Sequence, residues 1–148
     1  MNDRRSVVVD ASVAVKWVLP EEHSREALSF YEDAAASNTE IIAPPHLPVE
    51  VANAVWRKVA RKLITFDEAL QALAVFGRFQ VTLSYPSQLL EEALRIAQES
   101  KRPTVYDTAY MALARLTDCE LWTADITLLN ALSGKAPYVK SIASYTPS

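Results

Sequence analysis

Four carboxylates sit where a folded chain can least accommodate charge. Asp10 closes the β-branched run Ser6-Val7-Val8-Val9, and Glu50 lies within Leu47-Pro48-Val49-Glu50-Val51-Ala52. Asp107 lies within Val105-Tyr106-Asp107-Thr108-Ala109-Tyr110, and Asp125 follows Leu121-Trp122-Thr123-Ala124. Burying an unpaired carboxylate is costly, so such acids must meet a cation, a set of donors, or a shared ion. Brought together, the four would form an oxygen-rich pocket suited to a hard divalent metal.

A chain of 148 residues matches one compact domain, expected to span residues 1–148. With 50% apolar and 22% charged residues it has the profile of a soluble globular protein. No apolar run approaches the roughly 20 residues that span a bilayer, so no membrane association is expected. The start enters the Val-rich run almost at once without a small-residue cleavage pattern, which speaks against a signal peptide. The lone Cys119 excludes an internal disulfide framework or a cysteine metal cluster and fits a reducing cytoplasm. A net charge of −3 does not advertise nucleic-acid binding, so such contact needs a local basic patch or a bridging metal.

Ser6 to Asp10 reads as a parallel strand covered on both faces. Ser12 is the expected cap of a short helix ending at Leu19, before Pro20. Helices are expected from Ser24 to Ala36 and from Leu47 to about Lys62. Thr65-Phe66-Asp67-Glu68 is a capping box opening a fourth helix that ends near Gly77. A fifth helix, Ser87 to Glu99, would present Leu90, Leu94 and Ala97 on one face. Pro103-Thr104 would open a sixth helix running to Leu116, with a short seventh ending at Leu132. The intervening strands are Glu40–Ala43, Phe79–Ser84, Glu120–Ala124 and Tyr138–Ile142. This alternation indicates an α/β fold with a mainly parallel five-stranded sheet flanked by helices.

In open parallel sheets the ligand site lies beyond the carboxyl ends of the strands, where strand order reverses. Asp10 and Asp125 follow strands one and four, and Glu50 and Asp107 lie in the first turns of helices three and six. All four therefore fall on one rim. Two carboxylates about 4 Å apart repel by roughly 4 kcal/mol at an effective dielectric near 20. A cluster of four must take up protons or recruit a cation. Without Cys or His partners, Mg²⁺ or Mn²⁺ suits the set better than zinc. Such a pocket activates water and neutralises charge on a phosphodiester. Asn53 shares a helix face with Glu50, and Ser12 and Thr123 are hydroxyls beside the acids, suited to support them.

Each acid also has an ordinary reading. Asp107 follows Thr104 by three residues and could complete an N-terminal cap; Glu50 could serve the helix dipole; Asp125 could cap the helix that follows. Asp10 has no such routine purpose in sequence. Arg57, Lys58, Arg61 and Lys62 form a stripe that is ordinarily a solvated face, with RNA phosphate contact as the alternative. Lys16 suits a phosphate or a structural ion pair. His23 and His46 read as surface or loop residues, and Trp17, Trp56 and Trp122 as core or interface anchors.

Asp10-Ala11-Ser12 with Lys16 and Pro20-Glu21-Glu22, then Glu50-Val51-Ala52-Asn53, Tyr106-Asp107-Thr108-Ala109-Tyr110 and Thr123-Ala124-Asp125 resemble, in order and spacing, the blocks of PIN-domain proteins. The resemblance covers about residues 6 to 142 and is closest to VapC-type toxins of type II toxin–antitoxin pairs. It implies a Rossmann-like three-layer fold and a metal-dependent endoribonuclease, usually homodimeric and neutralised by a small antitoxin. Asp10, Glu50, Asp107 and Asp125 would be the catalytic metal-site residues for Mg²⁺ or Mn²⁺. Ser12, Asn53 and Thr123 would be polar support, and Lys16, Arg57 and Arg61 the candidate RNA contacts. One departure is Ile126-Thr127 after Asp125, where many relatives carry charge; a fifth acid is not expected.

A different class of function remains open: a PIN-like binding module acting mainly through a complex with an antitoxin or regulator. An aspartyl-nucleophile phosphatase needs a second acid where this chain has Ser12. A dinucleotide enzyme needs a Gly-rich turn after the first strand, which is absent.

Overall fold

In a computed structural model, which describes residues 4–148, five strands form one parallel sheet. They are β1 (Ser6–Val9), β2 (Glu40–Ala43), β3 (Thr82–Leu83), β4 (Leu121–Thr123) and β5 (Val139–Ser141), ordered β3-β2-β1-β4-β5. The α/β architecture is the one expected. The chain builds outward from β1 to β3 on one side and then returns to lay β4 and β5 on the other. Strand order therefore reverses between β1 and β4.

Seven helices connect the strands among the described residues: α1 (Ala11–Ala14), α2 (Ser24–Ala36), α3 (Leu47–Ala60), α4 (Phe66–Phe76), α5 (Leu89–Ser100), α6 (Tyr106–Leu116) and α7 (Ile126–Leu132). α1 runs on into a single 3-10 turn, Val15–Trp17, instead of continuing as one helix to Leu19. Val7, Val8 and Val9 are buried, as a strand covered on both faces requires. The segment Thr108–Ala114 of α6 is buried at every position, and α6 packs on β1, β4 and α5. A helix apolar all round belongs in the interior, and α6 is the centre of the core.

Two expectations need correcting. The buried face of α5 is Leu89, Ala93 and Ile96, while Leu90 and Leu94 are 51% and 63% exposed. Both triplets satisfy helical spacing, and only packing against α6 decides between them. The expected strand Phe79–Ser84 shrinks to Thr82–Leu83, because this edge strand pairs only with Ile42 and Ala43 of β2. Trp56 is 56% exposed, so of the core and interface readings only the interface one remains open to it. The capping box at Thr65 forms as expected, with Thr65 and Glu68 exchanging side-chain and backbone bonds.

Leu113 is fully buried on α6. Leu113→Ala should therefore lower unfolding free energy by about 2–5 kcal/mol. Urea denaturation followed by circular dichroism checks this, and a loss well below that range would mean α6 is not the centre of the core.

Candidate active site

The site begins at the seam between β1 and β4. Val8 pairs with Leu121 and Val9 with Trp122, so one step further Asp10 lies across from Thr123. This is the reversal point of the sheet, where loops diverge and leave a crevice. Asp10 is the N-cap of α1, a structural purpose that its sequence context concealed and one expected of Ser12. Its Oδ1 accepts from the Ser12 and Val13 N–H groups at 3.1 and 3.3 Å and from the Ser12 hydroxyl at 2.5 Å. Its Oδ2 accepts from the Thr123 hydroxyl. The same hydroxyls reach onward: Ser12 Oγ accepts from Ala124 N–H at 2.8 Å, and Thr123 Oγ1 from Asp125 N–H at 3.1 Å.

Asp125 caps α7, its Oδ1 accepting from Leu128 N–H at 3.1 Å, so its ordinary reading holds as well. Asp107 does not cap α6. Val105 occupies that position, Thr104 makes no cap bond, and Asp107 Oδ2 instead accepts from Arg102 Nη2 at 2.8 Å. Glu50, in the first turn of α3, has an Oε1 that accepts from the Tyr110 hydroxyl at 2.6 Å. The same oxygen lies 3.3 Å from His46 Nε2.

All four acids line one open cavity of about 250 Å³, with Ala11, Ser12, Asn53, Ala54, Arg57 and Tyr110. A larger cleft of about 630 Å³ lies elsewhere, but charges of both signs line it, Arg4 and Arg5 with Asp33, Asp118 and Glu120. The acidic cavity is smaller and more one-sided. Burial raises the Asp10 carboxyl from 3.8 to about 6 despite the bonds from Ser12, Thr123 and Val13, with the nearby charge of Asp125 adding to the rise. Burial also pushes the Tyr110 hydroxyl far up, reinforced by its bond to Glu50 and by the charges of Glu50, Asp10 and Asp107. Tyr110 is therefore a permanent donor to Glu50.

The donors are oxygens, which fits a hard divalent cation. Among the described residues, no three Asp, Glu, His or Cys side chains are grouped closely enough to hold one ion directly. Mg²⁺ keeps several waters and takes only one or two carboxylates directly, so the looser arrangement suits it. Asp10, Glu50, Asp107 and Asp125 are the residues that could hold it.

The supporting and basic residues divide. Ser12 and Thr123 bond Asp10, and Asn53 and Arg57 line the cavity. Arg61 is the C-cap of α3 and is not among the lining residues. Lys16 makes the structural ion pair that was one of its two readings: its Nζ lies 3.2 Å from Glu21 Oε1 and donates to the Glu22 carbonyl at 2.7 Å. Lys58 also binds Glu21, at 2.7 Å.

A family model described as PIN domain matches residues 7–131. The chain belongs to the PIN-domain family. It is 35% identical over 121 residues to the ribonuclease VapC3 of Pyrobaculum aerophilum, covering 80% of this chain and 88% of that one. It is 30% identical over 132 residues to the ribonuclease VapC9 of Mycobacterium tuberculosis, covering 88% and 94%. Among solved structures, PAE2754 from Pyrobaculum aerophilum superposes with a TM-score of 0.64 at 23% identity, over 93% of this chain and 84% of that one, which shows the shared fold. The resemblance to VapC-type PIN domains is thus supported by the curated relatives.

Three residues of this PIN domain escaped sequence reasoning. Tyr110 lies three positions after Asp107, a spacing that places both on one helix face. His46 lies in the turn before α3, as a surface or loop residue, and its Nε2 comes within 3.3 Å of Glu50 four positions on. Arg102 carried no spacing signal, because a turn lies between it and Asp107. Its Nε is buried without an acceptor, an arrangement that costs about 1–3 kcal/mol.

The raised Asp10 carboxyl sets a pH dependence. The folded PIN domain keeps a proton that the unfolded chain releases above 3.8, so stability falls as pH rises from there through about 6. The penalty is complete above that range and amounts to about 3 kcal/mol. Asn caps helices as well as Asp does. Asp10→Asn should therefore melt higher than the parent at pH 7.5 without divalent metal, with the difference vanishing near pH 4. Melting curves at the two pH values test this, and equal curves at pH 7.5 would refute it.

Proposed function

We propose that this PIN domain is a metal-dependent endoribonuclease that hydrolyses RNA phosphodiester bonds, acting as the toxin of a toxin–antitoxin pair. The observation that carries this reading is the gathering of Asp10, Glu50, Asp107 and Asp125 around one cavity at the sheet's reversal point. The names of the VapC relatives support RNA as the substrate.

Asp10, Asp107 and Asp125 would hold Mg²⁺ or Mn²⁺, at most two of them directly and the rest through waters, and Glu50 would help position it. When bound, the cation activates water and neutralises charge on the phosphodiester. The chain's own residues prepare the ground. Ser12 and Thr123 fix the orientation of Asp10, and Tyr110 fixes Glu50 while remaining protonated. Asn53 and Arg57 on the cavity wall supply an amide and a guanidinium to the phosphate backbone, with Arg61 further along α3.

A small antitoxin and a second copy of the chain are the proposed protein partners. Val49 and Trp56 of α3, with Phe66 and Leu70 of α4, are exposed apolar side chains suited to such contacts. No helix of the described residues is long and apolar enough to cross a membrane, and a cytoplasmic location belongs to the same proposal.

Single-stranded RNA should be cut by the purified chain with Mg²⁺ or Mn²⁺ and spared in excess chelator. Asp10→Asn and Asp107→Asn should each lose more than the roughly 10–100-fold that removal of an outer-shell partner costs. Undiminished cleavage by Asp10→Asn would overturn the assignment. Intact RNA with every metal, together with stable capture of a small partner protein, would favour the binding-module alternative.

A further inference from the structure

The turn between α5 and α6 carries a cation to which the nuclease reading gives no task. Lys101, with φ of 53°, ends α5, and the Arg102 N–H turns back to the Ala97 carbonyl at 3.0 Å. The guanidinium then meets the first turn of α6, donating through Nη2 to Asp107 Oδ2. The side chain is only 14% exposed, and its Nε–H has no acceptor. A buried guanidinium with an orphaned donor is a poor choice for packing alone, where an apolar side chain of similar volume would serve. Its distinguishing contribution is a permanent positive charge beside one acid of the cavity.

The other three acids are held differently. Asp10 is held by hydroxyls and backbone N–H groups, and Asp125 by a backbone N–H. Glu50 is held by Tyr110 and by His46, which is cationic only when protonated. Asp107 alone has an arginine as its side-chain partner, and arginine does not lose its proton in proteins.

We propose that Arg102 is a positioning residue that competes with a divalent cation for Asp107, so that it sets the metal affinity of the cavity low. This rests on the metal-site reading above. A cation that draws on Asp107 must share the carboxylate with Arg102 or displace it, and the two positive charges repel. The ion pair instead favours the metal-free arrangement.

The test measures Mn²⁺ binding to the full chain by the paramagnetic resonance signal of free Mn²⁺, independently of RNA cleavage. Arg102→Met keeps the bulk of the stem without charge and should bind Mn²⁺ roughly tenfold or more tightly than the parent. Arg102→Lys keeps the charge and should stay near the parent. Arg102→Met combined with Asp107→Asn should bind no more tightly than Asp107→Asn alone, which places the effect on that carboxylate. Should Arg102→Met fail to fold, Arg102→Gln retains a hydrogen bond without charge and should tighten binding in the same direction. General structural damage would weaken binding, so tightening is specific to the competition. Equal or weaker binding by the folded, uncharged variants overturns the role of Arg102 and leaves the nuclease reading standing. Absence of Mn²⁺ binding in the parent and all variants overturns both.

Discussion

The buried carboxylate of Asp10 at the β1–β4 seam is the constraint on which the rest of the site depends. Strand register puts it opposite Thr123, and its two oxygens collect bonds from both loops that leave the seam. Ser12 and Thr123 pass those bonds on to the Ala124 and Asp125 N–H groups. One carboxylate thereby fixes the start of α1, the exit of β4 and the backbone that carries Asp125. Its partners are neutral, so they orient the charge without cancelling it. Burial keeps the Asp10 carboxyl above its ordinary range, and the bonds from Ser12, Thr123 and Val13 offset only part of that rise. A metal would supply what the hydroxyls cannot.

α6 joins this seam to the core. Its buried run from Thr108 to Ala114 fixes the helix against β1 and β4, which leaves its first turn at the cavity mouth with little freedom. Asp107 and Tyr110 inherit that rigidity, and Tyr110 extends it to Glu50 on α3. The four acids are thus tethered separately, each by its own element and partner. Such an arrangement preorganises a cavity while keeping the carboxylates from collapsing onto one another, which suits an ion that retains part of its water shell.

What the sequence displays is the pattern that short-range physics imposes. The buried Val run, the Thr65 capping box and the alternation of strands with helices are all legible in the chain alone. The acids are legible too, because charge inside apolar sequence demands a reason. Partners separated by a turn or by long stretches of chain are not. Nothing local announces that Arg102 turns back onto Asp107 or that Tyr110 reaches Glu50 on another helix. The misassigned face of α5 has a related origin: Leu89-Ala93-Ile96 and Leu90-Leu94-Ala97 are equivalent in spacing until α6 is packed against one of them.

The charge balance of the cavity bears on the order of events in the nuclease reading. With Asp10 ionised above about 6, four acids face the single lining cation Arg57, and Arg102 compensates Asp107 from one side. The acids still outnumber these cations by two, and the chain as a whole carries −3. A phosphodiester approaching such a cup meets repulsion that one rim arginine does not offset. A divalent cation would neutralise that surplus locally, since its two charges match it. In that reading the repulsion of RNA is lifted only by metal loading, and the affinity of the cup for its ion would govern substrate access.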